Sequence, residues 1–118
     1  MALEILGVDV KSGLDFCEGD MNIYIRVLRS YVEDVTEALA EIRNVSEKNL
    51  SEYAVSVHGI KSTSEAVGAE ETRKTAKQLE LMAKSGDLAG VQAQNSAFIK
   101  HLENLLGNVK NSLEKHGS

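Results

Sequence analysis

Apolar and small residues recur along most of this chain at alternating spacings of three and four, the period of one face of an α-helix. The longest run is Leu88, Val91, Asn95, Phe98, Leu102, Leu105, Val109 and Ser112. A second comprises Tyr24, Val27/Leu28, Tyr31, Val35, Ala38/Leu39 and Ile42, and ends near Arg43. Gly19-Asp20 precedes it, with Asp20 as N-cap. A third run is Tyr53, Val57, Ile60, Ser64 and Val67. It follows a polar connection from Asn44 to Leu50, takes Ser51 or Asn49 as its cap, and stops at Gly68, a helix-ending C′ residue. A fourth is Thr72, Ala76, Leu79 and Ala83, with Glu70 and Glu71 in its first turn and Lys84 in its last, as the helix dipole favours. Ser85-Gly86-Asp87 ends that helix and caps the next. A short helix is predicted over Asp9 to Cys17, with Asp9 as N-cap and Val10, Leu14 and Cys17 on one side.

Four long amphipathic helices on short connections imply antiparallel neighbours. The expected fold is therefore all-α: an antiparallel up-down-up-down four-helix bundle with a short extra N-terminal helix capping it. Residues 1–118 read as one domain without repeat or linker, and the tail from Glu114 to Ser118 is expected to fray. Asn95 falls at an inward position of the last helix, where a polar residue sets register or holds a water rather than doing chemistry.

Composition agrees with an all-helical chain: there is no proline, and aromatic residues make up only 4%. The formal net charge is −5, with the thirteen lysines and arginines scattered among acids, which argues against a nucleic-acid interface. Cys17 is the single cysteine, so no intrachain disulfide forms and a reducing compartment is expected. The opening MALEILGVDV lacks the basic start and long apolar core of a secretion signal. Nothing approaches the ~20 apolar residues of a membrane span. A soluble, cytoplasmic and monomeric protein is the expectation.

The candidate chemistry lies on the third helix, in Val57-His58-Gly59-Ile60-Lys61-Ser62-Thr63-Ser64. At about 100° per residue, His58 falls roughly 130° from the centre of the inward run, and Lys61 and Glu65 share its outward flank. A solvent-facing imidazole three residues from an ammonium suits a phosphoryl group, whose oxygens need a nearby cation. By itself an exposed His-x-x-Lys pair also arises by chance on helical surfaces. His58, His101 and His116 share no spacing with acids or Cys17 that suggests a metal site.

Taken together with its context, the segment resembles the histidine-containing phosphotransfer (HPt) family of bacterial phosphorelays. The resemblance rests on His58-Gly59-Ile60-Lys61-Ser62-Thr63-Ser64, Val67-Gly68-Ala69, Ala76-Lys77-Gln78-Leu79-Glu80 and Gly86-Asp87. Gly13-Leu14, Gly19-Asp20 and Tyr24 extend it toward the N-terminus. The resemblance implies that His58 is phosphorylated through Nε2 and that Lys61 neutralises the added oxygens. Glu80 matches a position whose side chain contacts the acceptor imidazole, where a carboxylate would fix the ring's tautomer. A surface ion pair with Lys77 or Lys84 is the equal alternative for Glu80. The family usually has glycine after the lysine, and this chain has Ser62, whose hydroxyl could bond a phosphate oxygen. Gly59 and Gly68 complete the supporting set.

The resemblance further implies exchange with an aspartyl phosphate on a response-regulator receiver domain, and an upstream hybrid sensor kinase. Mg²⁺ would come with the receiver, and the chain alone would have neither cofactor nor turnover. Ala54, Val57 and Gly59, with Ile23 or Phe16, are the residues expected to surround the histidine for docking. A helical adaptor that docks receivers without being phosphorylated is the alternative function. A sensor-kinase fragment fits poorly, because Gly59 rather than an acid follows His58 and no nucleotide-binding glycine box is present.

Overall fold

The computed structural model describes residues 3–117. Five helices account for most of them: α1 (Val10–Phe16), α2 (Met21–Ile42), α3 (Leu50–Val67), α4 (Glu70–Lys84) and α5 (Leu88–Gly117), with a 3₁₀ turn at Glu47–Asn49 before α3. Among the described residues the only β-type pairing is an isolated bridge between Ile5 and Val8. The all-helical expectation therefore holds.

Boundaries follow the capping chemistry. Asp9 accepts from the Ser12 N–H at the start of α1, and Asp20 accepts from the Asn22 and Ile23 N–H groups at the start of α2. Asp87 does the same for Gly90. Such contacts satisfy amide groups that the first helical turn leaves without partners. At the start of α3 the N-cap position falls to Asn49, one of the two residues expected there, but without a capping bond. Ser51 lies inside the helix. Asn49 instead accepts from the Ser46 N–H and donates to the Asn44 carbonyl, so it organises the turn before the helix.

Gly68 closes α3 at φ +92°, and the Ala69 N–H turns back to the Ser64 carbonyl. A Cβ at Gly68 would also lie 2.2 Å from the Asp9 carbonyl oxygen. Backbone conformation and close approach both demand glycine there. The Asp9 N–H donates to the Gly68 carbonyl at 2.8 Å, which ties α1 to the end of α3.

Hydrogen bonds between side chains and to backbone carbonyls record how the helices pair. The Tyr24 hydroxyl donates to the Val67 carbonyl, Tyr31 meets Ser64 at 2.8 Å, and Ser56 donates to Glu41, so α2 and α3 run in opposite directions. Residue 42 of α2 is level with residue 95 of α5, and residue 72 of α4 with residue 101. All three tyrosines of the chain thus use a buried hydroxyl to fix α3 or its neighbours. Burial raises each phenol's pKa, that of Tyr31 and Tyr53 to about 12, which keeps them protonated donors.

Asn95 needs no water. Its Oδ1 accepts from the Tyr53 hydroxyl at 2.8 Å and its Nδ2 donates to the Ile42 carbonyl at 2.7 Å, one of the carbonyls left open at the end of α2. One side chain therefore joins α2, α3 and α5.

Two findings at the chain's ends were not expected. Leu3 and Ile5 are buried, and the backbone there is held by α5: Ser112 donates to the Glu4 carbonyl and Asn108 to the Leu6 carbonyl. The tail expected to fray from Glu114 is instead helical through Gly117. Its base is secured by that N-terminal leg and by Leu113, which packs on the core. Ser118 lies outside the described residues.

Candidate functional site

The bundle leaves one side of α3 facing solvent and turns the flank of α4 toward it. On α3, Val57, Ile60 and Ser64 are buried, so His58 points outward, with 55% of its side chain exposed. On α4, Thr72, Ala76, Leu79 and Ala83 face the core. Glu80 is one position past Leu79, on the flank nearest α3, and its side chain is only 4% exposed.

That buried carboxylate is the hub of the site. Glu80 Oε2 lies 2.6 Å from His58 Nδ1. Its Oε1 accepts from Lys61 Nζ at 2.7 Å, and Lys84 Nζ lies 3.0 Å from Oε2. Burial by itself would raise the Glu80 pKa. The hydrogen bonds from Lys61, Lys84 and His58 outweigh it and bring the pKa from 4.5 down to about 2. Glu80 is therefore ionised across the neutral range and acts only as an acceptor.

The tautomer of His58 follows from this. A neutral imidazole beside an ionised carboxylate places its proton on Nδ1, which leaves the Nε2 lone pair on the opposite side of the ring. Among the described residues Nε2 has no hydrogen-bond partner. Two ammonium charges against one carboxylate leave a surplus of one positive charge in the cluster around Glu80. The arrangement presents an oriented nucleophile in a locally cationic setting, within a chain whose net charge is −5.

Of the residues singled out from the sequence, the structure brings His58, Lys61 and Glu80 together. The two readings of Glu80 prove compatible, because its two oxygens serve the imidazole and two lysines at once. Lys84 is among them, whereas Lys77 lies exposed elsewhere on α4. Lys84 is thus a site residue that the sequence reading placed only as an ion-pair partner. Its signal was the four-residue spacing from Glu80. Gly59 and Ser62 are exposed on the outward side of α3. Gly68 is not at the site: it is ten residues from His58 along the helix, and its role is the turn described above.

The residues expected to surround the histidine need correction. Val57 is buried because it belongs to the inward run and cannot face a partner too, whereas Ala54, largely buried, does line the groove that His58 borders. Phe16 and Ile23 are exposed but lie on α1 and α2, and neither lines a groove beside His58. The exposed apolar neighbour is Val55, one turn before His58 and 72% exposed. It borders a groove of about 710 Å³ that His58, Glu80 and Lys84 also line.

Among the described residues no group of three or more His, Cys, Asp or Glu side chains is placed to hold a metal ion, and no helix is long and apolar enough to cross a membrane. A family model described as the Hpt domain matches residues 26–112, a span that contains every residue of this site. No curated protein and no solved structure matches the chain.

Proposed function

The chain belongs to the Hpt domain family, whose members have a phosphotransfer role in two-component phosphorelays and interact with response-regulator receiver domains; from that premise we propose that His58 is the residue that carries the phosphoryl group. The observation that supports this most strongly is the 2.6 Å contact between His58 Nδ1 and the buried Glu80 carboxylate, which aims Nε2 outward.

The chemistry follows from the charges. Nε2 of the neutral ring attacks the phosphorus of an aspartyl phosphate on the receiver. The N–P bond forms, the P–O bond to the aspartate breaks, and the aspartate leaves as a carboxylate. No proton has to leave Nε2, since it bears none. The ring gains positive charge as the bond forms, and Glu80, already ionised against Nδ1–H, stabilises that charge. Lys61 and Lys84 neutralise the phosphoryl oxygens. Phosphoryl transfer has a loose transition state in which positioning and charge neutralisation dominate, and those are what this cluster offers. Ser62, one turn beyond His58, offers a hydroxyl to a phosphate oxygen. The same steps run backward return the group to a second receiver.

In this reading the Mg²⁺ belongs to the receiver, and the chain binds no cofactor of its own. A hybrid sensor kinase is the upstream source, and the carrier works as a cytoplasmic monomer. The test is incubation with a phosphorylated receiver domain and Mg²⁺. The native chain acquires an acid-labile, base-stable phosphate, His58→Gln acquires none, and ATP alone labels neither. A native chain left unlabelled across several receivers would make it an adaptor that docks without accepting phosphate.

A further inference from the structure

The arginines of this chain fall into two pairs. Arg43 is bound to Glu103 at 3.0 Å and Arg73 to Glu70 at 2.6 Å. Arg26 and Arg29 have no ion-pair or hydrogen-bond partner among the described residues. Both line one cleft of about 520 Å³ between the start of α2 and the end of α5. Two neighbouring guanidiniums without carboxylates are unexpected in a chain whose net charge is −5.

Helix geometry makes the two converge. Asn22, Arg26 and Arg29 are spaced by four and three, so they share one side of α2, away from the buried Tyr24, Leu28 and Tyr31. His116 faces them from the last turn of α5, and the half-buried Ile25 and Leu113 supply an apolar floor between the helices. The cleft therefore combines two fixed positive charges, an amide, an imidazole and a small hydrocarbon surface.

None of the residues lining it is acidic. Three acids stand close in sequence. Asp20 is occupied by the Asn22 and Ile23 N–H groups that it caps. Glu114 follows Leu113 but points about 100° away from it on α5. Glu33 is one turn beyond Arg29 on the same side of α2 without forming an ion pair with it, and it opposes an anion from that end. The cleft shares no residue with the His58 site. Ser56 meets Glu41 and Ser64 meets Tyr31, so His58 is level with a more C-terminal part of α2 than either arginine.

We propose that this cleft is a second site, which binds a small soluble phosphate monoester, with Arg26 and Arg29 on the phosphate and the ester's organic part over Ile25 and Leu113. The choice of anion follows from donor geometry. A carboxylate has two oxygens and is filled by one guanidinium fork, whereas a phosphate dianion has three free oxygens for two forks and the Asn22 amide. Two fixed positive charges match its two negative ones. The volume lies within the range of small-molecule sites. The proposal does not depend on the phosphoacceptor reading of His58.

The probe is phenyl phosphate, titrated into the isotope-labelled full chain and followed by NMR. The signals of Asn22, Arg26, Arg29 and His116 should move together, with a Kd of about 1 mM. Benzoate, with the same ring and a single carboxylate, should bind about tenfold more weakly, as should inorganic phosphate, which lacks the ring. Arg26→Gln and Arg29→Gln should each weaken binding by about tenfold with melting unchanged. Glu33→Gln should strengthen it, whereas Arg43→Gln and His58→Gln should leave it as in wild type. Phenyl phosphate that moves none of these signals, or that binds both arginine variants as tightly as wild type, would overturn the site. Benzoate binding equal to that of phenyl phosphate would overturn the choice of phosphate. Phosphatidylcholine vesicles containing phosphatidic acid should not retain the chain; retention on them without binding of phenyl phosphate would overturn the soluble ligand.

Discussion

Glu80 Oε2 and His58 Nδ1 are 2.6 Å apart, joining α4 to α3. The carboxylate that orients the imidazole is almost sealed from solvent, whereas the imidazole is half open to it. One partner is fixed by the fold and the other is presented to a visitor. Lys61 and Lys84 complete the charge balance of the buried acid, so the same contacts that stabilise Glu80 also set the field at the reactive nitrogen.

The acid range should report Glu80 directly. Its pKa is depressed from 4.5 to about 2 in the folded chain. Its ionised form therefore contributes stability that is fully present above about pH 4.5 and is lost as pH falls through about 2. Glu80→Gln keeps the shape and removes the charge. We expect the variant to be less stable than wild type by about 2–3 kcal/mol near neutral pH, with the gap closing as pH approaches 2. Urea unfolding across that range measures it.

Removal of either ammonium should slow transfer without abolishing it. Lys61→Ala and Lys84→Ala each delete one positive charge from the cluster around Glu80, and a loss of about tenfold in the transfer rate is expected for each. The double variant should fall further, because neither cation remains to compensate for loss of the other. Rapid-quench measurement of phosphoryl transfer at saturating receiver separates this effect from weaker docking.

Asn95 offers a stability test remote from the site. Asn95→Ala leaves the Tyr53 hydroxyl and the Ile42 carbonyl buried without their partner. The expected cost is about 2–4 kcal/mol. Thermal melting should fall accordingly, while transfer at a temperature where the variant is folded stays near wild type.

Much of this architecture was legible from the chain itself. The three-four spacing placed the long helices, and Asp9, Asp20, Gly68 and Asp87 marked their ends, because capping and left-handed turns are local events. The outward direction of His58 followed from the same periodicity. What local patterns do not encode was missed. Residues 3–8 form no regular element, so nothing in their sequence announces that α5 holds them or that they in turn steady its last turns. The burial of Glu80 depends on how closely α4 lies against α3, which no single-helix pattern reveals. Val55 was legible in principle: it is about half a helical turn from the inward run, and an apolar residue there faces solvent. Val57 drew attention instead because it adjoins His58 in sequence, although adjacent positions on a helix point about 100° apart.

The regiochemistry of the phosphorylated ring tests the central claim most directly. After transfer from a phosphorylated receiver, NMR of the labelled chain should place the phosphorus on Nε2 of His58, with the Nδ1 proton retained and hydrogen-bonded to Glu80. Phosphorus on Nδ1, or a stable label on the His58→Gln chain, would contradict the account.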